Sequence, residues 1–260
     1  MVLDEIIAHK REEVISRKAA VPQEELEERI KTLGPPRDFR AALRRDGISL
    51  IAEIKRASPS RGDILPGVDA VELGALYELS GARAISVLTD SRYFQGSLND
   101  LTAVRQHVRV PCLRKDFVVD AYQVYEARAA QADAVLLIVR ILTPEELGAF
   151  LAVTRELGMH ALVEAHNADE IARAIQARAH IIGINNRDLD TLEVDFETTL
   201  RLKRRVPGGH VLVSESGIHA REQVKQLEAG GVDAILVGES LMTSADIQAQ
   251  IRNLLGLDEG

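Results

Sequence analysis

The chain has 260 residues, 46% of them apolar, and a net charge of -8, so it can bury a large core, as one α/β barrel or two small domains, and it carries no basic stripe for nucleic acid. No run approaches the roughly 18 apolar residues of a membrane span and no apolar leader opens the chain, which predicts a soluble, cytoplasmic protein. The single cysteine, Cys112, excludes disulfides within the chain and is expected to be a buried thiol in its apolar run.

Residues 1–45 have helical period. Leu3, Ile6, Ile7 and Val14 mark one apolar stripe, Leu26 and Ile30 a second, and Phe39, Ala42 and Leu43 a third, with Pro22 and Pro35-Pro36 as breaks. These stripes need a partner, so the segment is expected to cap the main fold as a helical extension and to roof the site, within a single domain spanning 1–260.

From residue 46 to 260 strands and helices alternate. The apolar runs are 50–54, 84–88, 111–113, 134–139, 161–163, 181–184, 211–213 and 234–237, with helix-like segments at 70–79, 98–107, 121–130, 144–157, 168–176, 196–204, 220–229 and 247–255. Thr143-Pro144-Glu145-Glu146 has capping-box spacing, and Asn167 precedes Glu170 by the same interval. Such alternation predicts parallel strands with right-handed crossovers. A weak repeat, Gly81-Ala-Arg-Ala84, Gln131-Ala-Asp-Ala134, Arg178-Ala-His-Ile181 and Gly231-Val-Asp-Ala234, recurs at about fifty residues, one copy per two strand–helix units. Four copies make eight units and predict a closed (βα)8 TIM barrel; an open doubly wound sheet would usually show a Gly-rich first turn.

The first strand turns charged only at its end. Alternation puts Ile51, Glu53 and Lys55 on one face, so the two charges are neighbours aimed the same way. An ordinary surface ion pair would explain them if the whole face were polar, which it is not. Other strand ends carry Lys115, Glu164, Asn185 and Glu215, with Lys115 and Glu164 expected to point inward. A ring of lysines and carboxylates at the C-terminal end of a barrel suits acid–base work, although a satisfied ion-pair plug would use the same residues. Ser214-Glu-Ser-Gly-Ile218 and Val237-Gly-Glu-Ser240 follow the last two strands, where barrels form phosphate sites from backbone N–H groups, and Gly217 and Gly238 would let the backbone approach an anion. No P-loop, dinucleotide fingerprint or His/Cys cluster appears, so no cofactor and no metal are expected.

These residues carry a resemblance. Lys10-Arg-Glu-Glu-Val14, Ile51-Ala-Glu-Ile-Lys-Arg-Ala-Ser-Pro-Ser60, Ser86-Val-Leu-Thr-Asp90, Leu113-Arg-Lys-Asp-Phe117, Gly183-Ile-Asn-Asn-Arg-Asp188, Glu215-Ser-Gly217 and Gly238-Glu-Ser-Leu-Met242 make the chain similar, over nearly its whole length, to the indole-3-glycerol phosphate synthase family. The resemblance implies a small phosphorylated substrate, 1-(2-carboxyphenylamino)-1-deoxyribulose 5-phosphate, closed to an indole with loss of carbon dioxide and water, without a cofactor or an obligate protein partner. It implies that Lys115 is the general acid of ring closure and that Glu164 is a general acid/base of dehydration. Neighbouring charge and partial burial would shift the Lys115 pKa toward neutrality, as a mobile donor requires. Lys55 would engage the substrate carboxylate and assist dehydration, oriented by Glu53, and Asn185 and Glu215 would position the substrate. Ser216, Gly217, Gly238 and Glu239 match the phosphate loops; Ser58, Pro59, Phe94, Phe117, Leu136 and Leu189 match the wall that meets the aromatic ring. The family often roofs that ring with an aromatic residue from the N-terminal helix, whereas this chain has no Trp and no aromatic before Phe39.

Two other functions would use parts of this pattern. A phosphosugar isomerase like phosphoribosylanthranilate isomerase needs an acid/base pair but no carboxylate-binding lysine. A non-catalytic phosphometabolite-binding barrel accounts for the phosphate loops but leaves Lys115 and Glu164 without a task.

Overall fold

The computed structural model describes residues 2–58, 62–65 and 67–257. Among them eight parallel strands close a barrel in chain order: β1 (Ser49–Ile54), β2 (Ala84–Leu88), β3 (Cys112–Lys115), β4 (Ala134–Ile138), β5 (His160–Ala165), β6 (Ile181–Asn185), β7 (Val211–Glu215) and β8 (Ala234–Val237). The seam is β1 with β8, Leu50 opposite Ile235 and Ala52 opposite Val237.

Side-chain alternation sorts each strand between two cores. Ile51, Leu113, Leu136, Leu162, Val213 and Leu236 fill the interior, while Leu50, Ile54, Val87, Leu137, Val163 and Ile184 pack outward under the helices. Several ladders outrun their apolar runs. β3 carries on through Arg114 and Lys115, opposite Val87 and Leu88, β5 through Glu164, and β7 through Glu215. An apolar-run reading stops early there because tertiary partners, not apolar character, hold those last residues. Arg114, for example, is buried with Nη2 3.0 Å from Asp116 and 3.1 Å from Glu126.

The helices largely follow their start signals. Thr143 and Glu146 form the expected capping box at the start of Pro144–Glu156, and the Asn167 side chain accepts from the Glu170 amide. The segment read as 196–204 is a shorter α-helix, Glu197–Leu202, that tightens into a 3₁₀ turn, Lys203–Arg205. Three short elements lacked a sequence signal: a hairpin of Ala57–Ser58 with Gly62–Asp63, and the single-turn helices Ser91–Phe94 and Glu239–Met242. Cys112 is buried and free, its thiol pushed up by burial and by Asp133. No helix among the described residues is long and apolar enough to cross a membrane.

The N-terminal extension divides into three jobs instead of forming one cap. α1 (Val2–Ala20) lies over the C-terminal mouth, α2 (Gln23–Lys31) packs beside the barrel on Tyr122–Ala129, and α3 (Phe39–Leu43) closes the opposite end. Phe39 and Leu43 are fully buried against the first interior layer, with Ile51, Ala84 and Ala134. Asp38 meets His160 at the start of β5 (3.1 Å), and Ser49 Oγ donates to the Leu43 carbonyl. The third stripe therefore plugs the bottom of the barrel.

α1 is fastened to the mouth by a buried ion cluster. Lys10, 1% exposed, places Nζ 2.8 Å from Asp90, 3.0 Å from Asp116 and 2.8 Å from Glu13. Arg17 pairs with Glu13 and with Glu126, which also meets Arg114, so the helix and the end of β3 share one network.

Candidate active site

The barrel mouth opens into a cavity of about 490 Å³ roofed by Leu3 and Ile6 of α1. Its polar floor is built from strand ends: Glu53 on β1 and Lys55 just after it, Lys115 at the end of β3, Glu164 on β5, Asn185 closing β6 and Glu215 closing β7. Glu53 stands between the two lysines, Oε1 3.3 Å from Lys55 Nζ and Oε2 3.7 Å from Lys115 Nζ. Ser216, Gly217, Gly238 and Glu239, which follow β7 and β8, also line the cavity, as do Ser58, Phe94, Phe117, Leu136 and Leu189. Phe94 and Phe117 face each other with ring centroids 6.1 Å apart. Pro59, expected beside Ser58, lies outside the described residues.

Two glycines leave room for carboxylates. A β-carbon at Gly238 would meet Glu53 Oε1 at 2.7 Å, and one at Gly183 on β6 would collide with Glu215 Oε1. Gly238 thus makes space for a side chain as well as for any ligand. Ser216 and Gly217 both have left-handed backbone (φ 69° and 76°), a conformation that costs the serine about 1–3 kcal/mol. Asn186 holds this turn, donating from Nδ2 to the Ser216 carbonyl at 2.9 Å while its Oδ1 accepts from Thr199.

The charges do not act independently. Burial would raise the Glu53 carboxyl, but Lys55 and Lys115 outweigh it and hold it below the ordinary range. Burial would lower the Lys115 ammonium, but Glu53 and then Glu164 outweigh it and raise it. The expected shift of Lys115 toward neutrality is therefore not found: the carboxylates beside it keep it protonated. Glu164 and Glu215 resolve into opposite states. Burial opposes ionisation of both, yet a hydrogen bond from His166 and the charge of Lys115 bring Glu164 down to about 2. Glu215, buried beside Glu164, is pushed well above the ordinary carboxyl value by burial and then by its neighbour's charge. One carboxylate and one carboxylic acid side by side can take a proton at one atom and give one at another.

Leu3 and Ile6, on the helical stripe expected to roof the site, line the cavity. Other cavity residues carry no signal in the sequence. Leu192 and Val194 come from the loop after β6, which Asp188 shapes by accepting from the amides of Asp190 and Thr191. Arg187 also reaches the cavity, 3.6 Å from Glu239. His166 lies behind Glu164 and belongs to no motif of its own. Among the described residues no group of three or more His, Cys, Asp or Glu could hold a metal ion.

A closed parallel barrel with ionised side chains gathered at the C-terminal ends of its strands defines a (βα)8-barrel enzyme. Comparison with known proteins narrows this. The family model described as indole-3-glycerol phosphate synthase matches residues 3–254, and the chain belongs to that family. It is 49% identical to the indole-3-glycerol phosphate synthase of Roseiflexus sp. (strain RS-1), over 98% of each chain. It is 46% identical to that of Syntrophobacter fumaroxidans, covering 98% of this chain and 97% of the other. Among solved structures, the thiamine phosphate pyrophosphorylase of Pyrococcus furiosus shares the fold with a TM-score of 0.61 and 18% identity, over 82% of this chain and 96% of that one.

Proposed function

We propose that the mouth cavity performs its family's ring closure with Lys115 as the proton donor and the Glu164–Glu215 pair as the groups that complete dehydration. The family makes this chain a decarboxylating lyase of tryptophan, and hence amino-acid, biosynthesis. The substrate, 1-(2-carboxyphenylamino)-1-deoxyribulose 5-phosphate, carries a phosphate at one end and a carboxylated aromatic ring at the other. The lining offers both kinds of surface, the turns at Ser216–Gly217 and Gly238–Glu239 and the apolar side chains of Phe94, Phe117, Leu136 and Leu189.

In this reading the Lys115 ammonium donates to the ketone oxygen as the ring carbon bearing the carboxylate attacks the ketone carbon. Loss of carbon dioxide then leaves a hydroxyl, which departs as water with the proton that Glu215 holds while ionised Glu164 takes a proton from the substrate. Asn185 holds the substrate hydroxyls. Lys55, held by Glu53, meets the carboxylate; Ser58 borders the ring. Cytoplasmic residence belongs to the same reading, since the relatives' reaction is biosynthetic.

The observation that carries the proposal is Glu53 bridging Lys55 and Lys115 at 3.3 and 3.7 Å, which supports a reading in which two neighbouring cations serve an anionic ring and a ketone. Supplying the substrate and following indole absorbance tests it. Indole formation that disappears in Lys115→Met is expected; a parental rate in that variant would remove Lys115 from the chemistry.

A further inference from the structure

His166 follows β5 and precedes the helix Ala168–Gln176, behind the cavity wall, with its ring 8% exposed. Its Nε2 is 3.3 Å from Glu164 Oε1 and its Nδ1 is 3.1 Å from Glu170 Oε2. Glu170 is fixed independently of the ring: Oε2 accepts the His166 backbone amide at 2.8 Å, and Oε1 accepts from Asn167 Nδ2 at 2.8 Å. The carboxylate also sits in the first turn of its helix, where the macrodipole favours negative charge. A carboxylate within ion-pair distance of each ring nitrogen favours the imidazolium, with both nitrogens protonated.

We propose that His166 is a positioning residue: clamped between Glu164 and Glu170, it aims the Glu164 carboxylate into the cavity and leaves the proton of the neighbouring pair on Glu215. The inference rests on the reading of Glu164 as an acid/base group. Glu164 stands between two cations, His166 behind and Lys115 in front, whereas Glu215 sets Lys115 against the carboxyl groups of Glu164 and Glu53. Burial would lower the His166 ring, but Glu164 and Glu170 raise it to about 10, so the clamp stays charged across neutral pH. The other charged groups facing this cluster are Arg140, from the turn Val139–Ile141 near Glu170, and Glu53 beyond Lys115. Lys203, in the turn that packs on the same helix, faces away and donates to the Gly230 carbonyl.

His166→Gln keeps an amide donor and removes the charge. Its kcat should fall about tenfold or more, the cost of a misaimed group, with KM nearly unchanged. The acid limb of its kcat profile should move up by about one pH unit or more, because Glu164 loses an opposite charge. Glu170→Gln, which leaves the histidine in place and charged at acid pH, should leave the limb where it is or lower it slightly, because only a neighbouring carboxylate is lost. Nitrogen-15 NMR of histidine-labelled parent, with His166 assigned by its absence from His166→Gln, should show both ring nitrogens protonated at pH 7. A neutral ring there, or a His166→Gln enzyme with reduced kcat and an unmoved acid limb, overturns the proposal. Glu164→Gln with full turnover would instead remove the acid/base role itself, an outcome distinguishable because it needs no change at His166.

Discussion

Gly238 and Glu53 compete for one volume, since a β-carbon on the glycine would stand 2.7 Å from the Glu53 carboxylate oxygen. Gly238→Ala should push Glu53 off Lys55 and Lys115 and lower kcat about tenfold or more. Because both changes act on the same carboxylate, the losses in Gly238→Ala and Glu53→Gln should be strongly non-additive in a double-mutant cycle. Additive losses would mean that the glycine serves only the approach of the substrate phosphate.

Lys115 is held protonated by Glu53 and Glu164, so its contribution as a donor depends on the substrate's drawing the proton out. Lys115→Met and Lys115→Arg should both lose turnover by about 10²–10⁴ while still binding a product analogue, because a guanidinium keeps the charge but is a poor donor. If Lys115→Arg keeps turnover within about tenfold of the parent, the charge acts by electrostatic stabilisation and Lys55 becomes the donor to test.

The extension's helices should separate by phenotype. Ile6→Ala thins the roof and should raise KM about tenfold, the worth of a few methylenes removed from an apolar pocket wall. Phe39→Ala leaves a hole in the barrel floor and should cost about 3–5 kcal/mol of stability with KM unchanged. Denaturant melts and steady-state kinetics on both variants check this, and a raised KM in Phe39→Ala would show that the floor is felt at the mouth.

Asp116 ties α1 to β3, and stability should report it as a function of pH. Burial would raise this carboxyl, yet Arg114, Lys10 and the Thr89 hydroxyl bring it down to about 2. A carboxyl whose folded value lies below its unfolded value, roughly 3.9, adds stability that is complete above the unfolded value and lost as pH falls through the folded one. Asp116→Asn should therefore be less stable than the parent by about 3–5 kcal/mol at pH 6, and the gap should narrow as pH drops below about 4. A gap that stays constant to pH 3 in urea melts would assign the loss to packing.

Much of the architecture was legible along the chain because it depends on local periodicity. Apolar runs of period two separated by helical stripes, with caps such as Thr143 and Asn167, define the order of elements, and the repeat near fifty residues closes the barrel. Alternation from Ile51, Leu113 and Leu162 also aims Glu53, Lys55, Lys115 and Glu164 inward, since neighbours on a strand must face opposite ways. Local pattern could not say where a stripe finds its partner: Leu3 and Phe39 have the same apolar character, yet one roofs the mouth and the other plugs the floor. Nor could it assign protons. Whether Lys115 is neutral or charged, and which of Glu164 and Glu215 keeps its proton, is decided by charges at the ends of β1, β3, β5 and β7 and by His166 behind them, because electrostatic energy depends on distance through space and not along the chain.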